Sequence, residues 1–310
     1  MFQHVVHCDW SMRAAGRWMA TARRAPDGSW SAAGPCRVPE ASAFLDDLFA
    51  LAEAGTTLAA FDFPIGFPAD YGAQTPHRDF PAALDAIGRG AWPEIFEVAS
   101  APSEIGPLRP FYPRRPGAAR LRHLLDGHGV ESPAALVRAC ERPGSDGGAA
   151  GCMFWTLGAK QVGKAALSGW REVIGPARHR GATIWPFDGN LASLASAGGL
   201  VLAESYPGDA YGQLGLSFAG KSKRRLSDRA AFAPAIARWA ASRAIRFDDG
   251  LASAVRDGFP ASSGQDDGFD AALGLLAAVA VAAGERPDGA PTTDAVRRWE
   301  GWILGKRIAA

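Results

Sequence analysis

The chain has 310 residues, 47% of them hydrophobic and 21% charged, the balance of a folded protein with a sizeable core in one enlarged domain or two, not of a disordered one. Its 33 Lys and Arg against 32 Asp and Glu leave a net charge of +1, so no global field marks a nucleic-acid or membrane partner. The longest apolar run, residues 271–284, is shorter than the ~20 residues that cross a bilayer, the N-terminus shows no leader pattern, and four scattered cysteines without CxxC spacing point to reduced thiols; the expectation is a cytoplasmic protein with no membrane partner.

Residues 2–9 (FQHVVHCD) read as a strand ending on Asp9, residues 17–23 as a second after the turn SMRAAG, and residues 30–38 as a third after Asp27-Gly28. Ser42 is placed to cap a helix over 43–54, where Phe44, Leu45, Leu48 and Leu51 recur at helical spacing and Gly55 stops it. Residues 58–63 form an apolar strand cut by Pro64, with Asp62 near its end. From 64 to about 180 the periodicity weakens while Pro, Gly and Arg become frequent, which predicts a mainly helical insertion with a mobile loop in ERPGSDGGAAG. A short strand over 182–187, a firmer one over 200–204 closed by Glu204, a helix over 227–244 and an apolar helix over 267–284 complete the chain. The expected division is a core of residues 1–63 and 181–310 capped by an insertion of 64–180.

The acids carry the chemistry. A carboxylate that closes a buried strand sits at the sheet edge where open α/β folds place ligands. Carboxylates that converge there raise one another's pKa, and a divalent cation is the ordinary remedy. Asp267 and Asp270 stand three apart on one helical face, in a first turn that favours negative charge. Two-metal hydrolysis of a phosphodiester needs several such carboxylates, and Mg²⁺ or Mn²⁺ accepts oxygen ligands without His or Cys. Each acid also has a structural reading: Asp62 as a turn former, Glu204 as a strand-end surface residue, Asp266 or Asp267 as a cap. Asp9, between Cys8 and Trp10 after an apolar strand, is the strongest candidate.

Among the cations, Lys221, Lys223, Arg224 and Arg225 form the densest run. Arg109, Arg114, Arg115, Arg120 and Arg122 form a second group around Phe111 and Tyr112, which is either a solvated face, the commoner case, or a base-stacking surface. Lys160 and Lys164 share a helical face. His77, His123, His128 and His179 lack zinc spacing, and neither a Gly-x-Ser-x-Gly elbow nor a Walker A loop is present.

The motifs HCDW (7–10), FDFPIGFP (61–68), ESYP (204–207), GKSKRR (220–225) with Arg229, DDGFDA (266–271) and EGWILG (300–305) together resemble the DUF429 family, which is grouped with RNase H-like nucleases. The same residues are similar to the broader RNase H-like superfamily, including Holliday-junction resolvases of the RuvC type. The resemblance implies an α/β fold, an RNase H-like mixed sheet flanked by helices, with a large mainly helical insertion. It implies Asp9, Asp62, Asp267 and Asp270 as ligands of Mg²⁺ or Mn²⁺, Glu204 and Lys223 as further catalytic residues, and Lys221, Arg224 and Arg229 as substrate contacts. The expected function is metal-dependent phosphodiester hydrolysis by a nuclease, with nucleic acid or another phosphoester as partner. Two alternatives stand beside it: an actin-like phosphotransferase, against which WSMRAAG lacks a glycine-rich phosphate loop, and a non-catalytic binding protein on the same fold.

Overall fold

The computed structural model describes residues 1–88, 92–142, 151–157, 162–260 and 266–307. Among the described residues, seven strands form one mixed sheet: β1 (His4–Asp9), β2 (Trp18–Arg24), β3 (Trp30–Arg37), β4 (Thr57–Phe61), β5 (Thr183–Ile184), β6 (Leu200–Glu204) and β7 (Ile245–Phe247). Their order is β5-β6-β4-β1-β2-β3-β7, with β2 antiparallel to both neighbours and every other pairing parallel. Short turns can only return a strand antiparallel, which makes β1 to β3 a meander; the parallel step to β4 needs a crossover, supplied by α1 (Ala41–Ala54). That helix opens on Glu40 and not on Ser42, because the Glu40 carboxylate accepts the Ser42 amide at 2.9 Å.

Side chains alternate across the sheet with period two. Val6 and Cys8 of β1, Ala59 and Phe61 of β4, and Leu200 and Leu202 of β6 enter one apolar cluster. Val5, Leu58, Ala60, Val201 and Ala203 enter another. The first is completed by α1 and by residues of the 64–180 segment, Phe67, Phe80 and Trp170 among them. Here α2 (Ala69–Gly72), α3 (Phe80–Ala86), α4 (Leu121–His128), α5 (Val162–Gly169) and α6 (Gly175–His179) are short and separated by 3-10 turns and irregular chain, as frequent Pro and Gly dictate, so the helical character expected of this segment is met only in part. α5 passes into α6 through a π-helical turn, Trp170–Ile174: Pro176 has no amide to donate, and the Gly175 amide reaches back to the Trp170 carbonyl. Most of the loop ERPGSDGGAAG lies outside the described residues.

The second cluster is covered by α7 (Leu191–Ala197), α8 (Pro207–Gln213), α9 (Leu226–Ala230), α10 (Ala233–Ala241), α11 (Asp249–Asp257) and α12 (Asp267–Ala282). The single helix expected over 227–244 is two, since Pro234 can enter only a first turn and α10 begins there. Every residue of α12 from Gly268 to Val281 is buried, and it packs on β1, β2 and β3. A buried ion pair, Lys306 Nζ to Asp209 Oδ2 at 3.0 Å, ties the chain's end to α8. All four cysteines are free, and among the described residues no helix is long and apolar enough to cross a membrane.

Candidate functional site

Strand register brings the first two acids together. Cys8 stands opposite Phe61 in the β1–β4 ladder, and the Asp62 amide donates to the Cys8 carbonyl at 3.0 Å, so Asp9 and Asp62 leave adjacent strands side by side. By alternation both fall on the face that carries Val5 and Ala60, the face covered by α12. His7 fixes the helix at close range on that face: its Nδ1 is 3.0 Å from the Ala271 carbonyl, and a Cβ on Gly274 would lie 2.1 Å from its ring. The first turn of α12 therefore delivers Asp266, Asp267 and Asp270 to the edge where β1 and β4 end.

The electrostatics follow from this crowding. Burial, then repulsion from Asp270, Asp62 and Asp267, pushes the Asp9 carboxyl well above its usual range. Asp62 is pushed up to about 7 by burial and then by Asp270, although its carboxyl is hydrogen-bonded to that of Asp9. Burial raises Asp270 to about 6 against the opposing pull of Lys223 and Tyr211. Asp267 is raised by burial and then by Asp266. These four are brought together, with Asp9 and Asp62 hydrogen-bonded to each other.

A lysine already stands among them. Lys223 Nζ is 2.6 Å from Asp266 and 2.6 Å from Asp270 Oδ2, while the Tyr211 hydroxyl donates to Asp270 Oδ1. Burial opposes its charge, but Asp270 and Asp266 outweigh burial and hold the ammonium above its ordinary pKa. Its loop is fixed from beneath: Arg229 donates to the Lys223 carbonyl at 2.5 Å and to the Gly258 carbonyl at 2.8 Å, and Asp228 accepts the Ser222 amide at 2.7 Å. Arg229 is thus a buried support for Lys223 and does not face a substrate, contrary to the expectation for it. Lys221 and Arg224 are exposed, and Lys221 Nζ lies 5.2 Å over the Phe232 ring.

Glu204 is on the other face. It pairs with Phe61 in the β4–β6 ladder and so points away from Asp62, toward the 64–180 segment. There Arg138 donates to both its oxygens at 2.7 Å, and the Ile65 amide reaches Oε2 at 2.7 Å. The same guanidinium meets Glu141 at 3.1 Å and the Glu300 carbonyl at 2.9 Å. With both oxygens occupied, Glu204 joins FDFPIGFP to EGWILG and is not part of the aspartate group. Those two motifs touch backbone to backbone, since a Cβ on Gly66 would meet the Glu300 carbonyl at 2.3 Å and one on Gly301 the Ile65 carbonyl at 2.3 Å.

Sequence reasoning missed Arg138 and Tyr211, and also Tyr206, whose phenol is pushed up to about 12 by burial and then by Asp62. No motif announces them; counting the alternation of LVLAE against AAFD would have separated Glu204 from Asp62. Phe111 and Tyr112 are buried and offer no stacking surface, while Arg109 is paired with Glu97 at 3.2 Å and the exposed Arg122 with Asp126 at 2.7 Å. Lys160 lies outside the described residues.

For a divalent cation the donor chemistry fits at Asp9, Asp62 and Asp267, hard oxygens whose burial and crowding oppose ionisation unless positive charge is added. Asp270 fits only by releasing Lys223 or Tyr211. Among the described residues, no three His, Cys, Asp or Glu side chains are gathered in the geometry of an assembled metal site. Compared with known proteins, the chain matches no family model, no curated protein and no solved structure.

Proposed function

We propose that the chain is a metal-dependent phosphodiester hydrolase, acting as a nuclease or on another phosphoester, with Mg²⁺ or Mn²⁺ held by Asp9, Asp62 and Asp267. The observation that carries this reading is that acids from distant parts of the sequence meet at one buried edge, where burial and then repulsion among them raise the Asp9 and Asp62 carboxyls above their ordinary range. The meander, the crossover helix and the parallel fourth strand, with acids on the first and fourth strands and on the last helix, support an RNase H-like core.

A divalent cation bound there supplies a lowered water pKa and stabilisation of the leaving oxygen. The chain's own residues do the rest. Asp62, hydrogen-bonded to Asp9, would hold the cation as a carboxylate, its raised pKa belonging to the metal-free site. Lys223 offsets negative charge that develops as the P–O bond breaks. Tyr211 fixes the Asp270 carboxylate, and Arg229 holds the backbone of Lys223.

The test is Mn²⁺ calorimetry on wild type, Asp9→Asn and Asp62→Asn. Binding lost in both variants, together with Mn²⁺-dependent phosphodiester turnover, is the expected outcome; binding or turnover that survives both substitutions refutes the assignment. A second reading, a non-catalytic protein on this fold, draws on Lys223 as a built-in counter-ion and expects no Mn²⁺ binding in the wild type.

A further inference from the structure

The ESYP motif splits at the sheet edge. Glu204 turns toward the 64–180 segment, so its successor Ser205 falls on the opposite face, the one that carries Asp62 and α12. The Ser205 amide donates to the Phe61 carbonyl at 2.8 Å, as the Asp62 amide does to the Cys8 carbonyl, and the two ladders are thereby carried one residue past the strand ends. Asp9, Asp62 and Ser205 consequently stand in one row across the ends of β1, β4 and β6, each about 4.8 Å from the next along the sheet.

Ser205 is 7% exposed, and its hydroxyl has no hydrogen-bond partner among the described residues. A serine ahead of a helix ordinarily caps it, but α8 starts from Tyr206, whose carbonyl accepts the Asp209 and Ala210 amides, and no side-chain oxygen takes part. The chain is held on both sides of Ser205: Arg138 grips the Glu204 carboxylate, the Leu304 amide donates to the Glu204 carbonyl at 2.9 Å, and Lys306 pairs with Asp209. Gly208 leaves room for the Tyr206 ring, which an added Cβ would meet at 2.6 Å. The backbone is thus fixed while the hydroxyl it presents beside Asp62 stays unpaired, a state that costs a buried polar group stability.

Carboxylates already crowd this edge, and another would add repulsion; a hydroxyl adds a hard oxygen and no charge. We infer that Ser205 Oγ is a neutral ligand of the divalent cation held by Asp62, on the flank of that residue away from Asp9. The inference rests on the cation reading of Asp9, Asp62 and Asp267 given above, and it extends that site onto a third strand. ESYP then holds two successive residues with separate duties: Glu204 locks the 64–180 segment to the sheet, and Ser205 serves the aspartates on the other face.

The experiment is calorimetric titration of the full chain with Mn²⁺ and with Cd²⁺, for wild type, Ser205→Ala and Ser205→Cys, beside the thermal midpoint of each metal-free protein. Ser205→Ala should bind Mn²⁺ about tenfold more weakly than wild type while keeping or raising the midpoint, since it loses a ligand and an unpaired polar group together. Ser205→Cys should bind Mn²⁺ no better than Ser205→Ala, and Cd²⁺ at least about tenfold more tightly than it, because a thiolate favours the softer ion. The alanine chain carries the same four native free cysteines and so corrects for them. A hydroxyl that only packs, or only holds a water, gives no such exchange of metal preference. Equal Mn²⁺ affinity in wild type and Ser205→Ala, or no gain of Cd²⁺ affinity with cysteine, overturns the proposal and leaves the aspartate site standing. A wild type that binds no Mn²⁺ refutes the cation reading and this proposal with it.

Discussion

At the scale of single residues the site is a balance between Asp62 and Lys223. Asp62 is raised from the ordinary carboxyl value of about 3.9 to about 7, so the folded chain binds more protons than the unfolded chain between those values. Its stabilising contribution is fully present below about pH 4 and is lost as pH rises through about 7. The metal-free protein should therefore lose stability across that window in urea denaturation followed by circular dichroism. Asp62→Asn removes one repelling charge and should raise stability at pH 8 by about 1–2 kcal/mol, with little gain at pH 4, while abolishing turnover. Lys223→Met should do the reverse, destabilising at pH 8 more than at pH 5, because protonation of Asp270, raised to about 6, lessens the need for a counter-cation; equal losses at both pH values would refute the account. Asp9 and Asp62 were legible because each ends an apolar strand in sequence. Glu204 ends one too, but its side of the sheet depends on register with β4, which no single strand encodes.

Among the elements, α12 and β1 are the tightest pair. Gly274 has no side chain because the His7 ring occupies that space, 2.1 Å from an added Cβ. Gly274→Ala should cost about 1–3 kcal/mol, and His7→Ala in the same chain should remove most of that cost; a double-mutant cycle in urea measures the coupling. Since α12 carries the helical acids, displacing it should also weaken Mn²⁺ binding in proportion. The strands and α12 were readable from periodicity. The division of 227–244 by Pro234 was readable as well but was missed, because the apolar spacing on either side of the proline stays in phase. The short strand β7 and helix α11 were too brief or too polar to stand out.

Across the whole molecule, a buried arginine ties the 64–180 segment to the sheet. Arg138, Glu141 and Glu204 are all almost fully buried, so Arg138→Ala leaves two buried carboxylates without their counter-ion. That should cost about 3–5 kcal/mol and speed proteolysis within 64–180 before the core is cut. Replacing Arg138, Glu141 and Glu204 together by apolar residues of similar size should recover most of the loss, an outcome that would separate this network from the aspartates across the sheet. None of this was visible in the sequence, where Arg138 sits in a stretch without periodicity and, Glu141 apart, its partners Glu204 and Glu300 lie far along the chain.

The ammonium among the aspartates is part of the chain, and that makes it a competitor of fixed strength. A soluble cation that takes Asp270 as a ligand must displace a rival whose effective concentration is set by the loop that carries it, not by its abundance in solution. Arg229, through its grip on the Lys223 carbonyl, therefore sets how firmly Lys223 holds Asp270 without itself contacting a carboxylate: a loosened tether, as in Arg229→Gln, should free Asp270 for the cation and tighten Mn²⁺ binding.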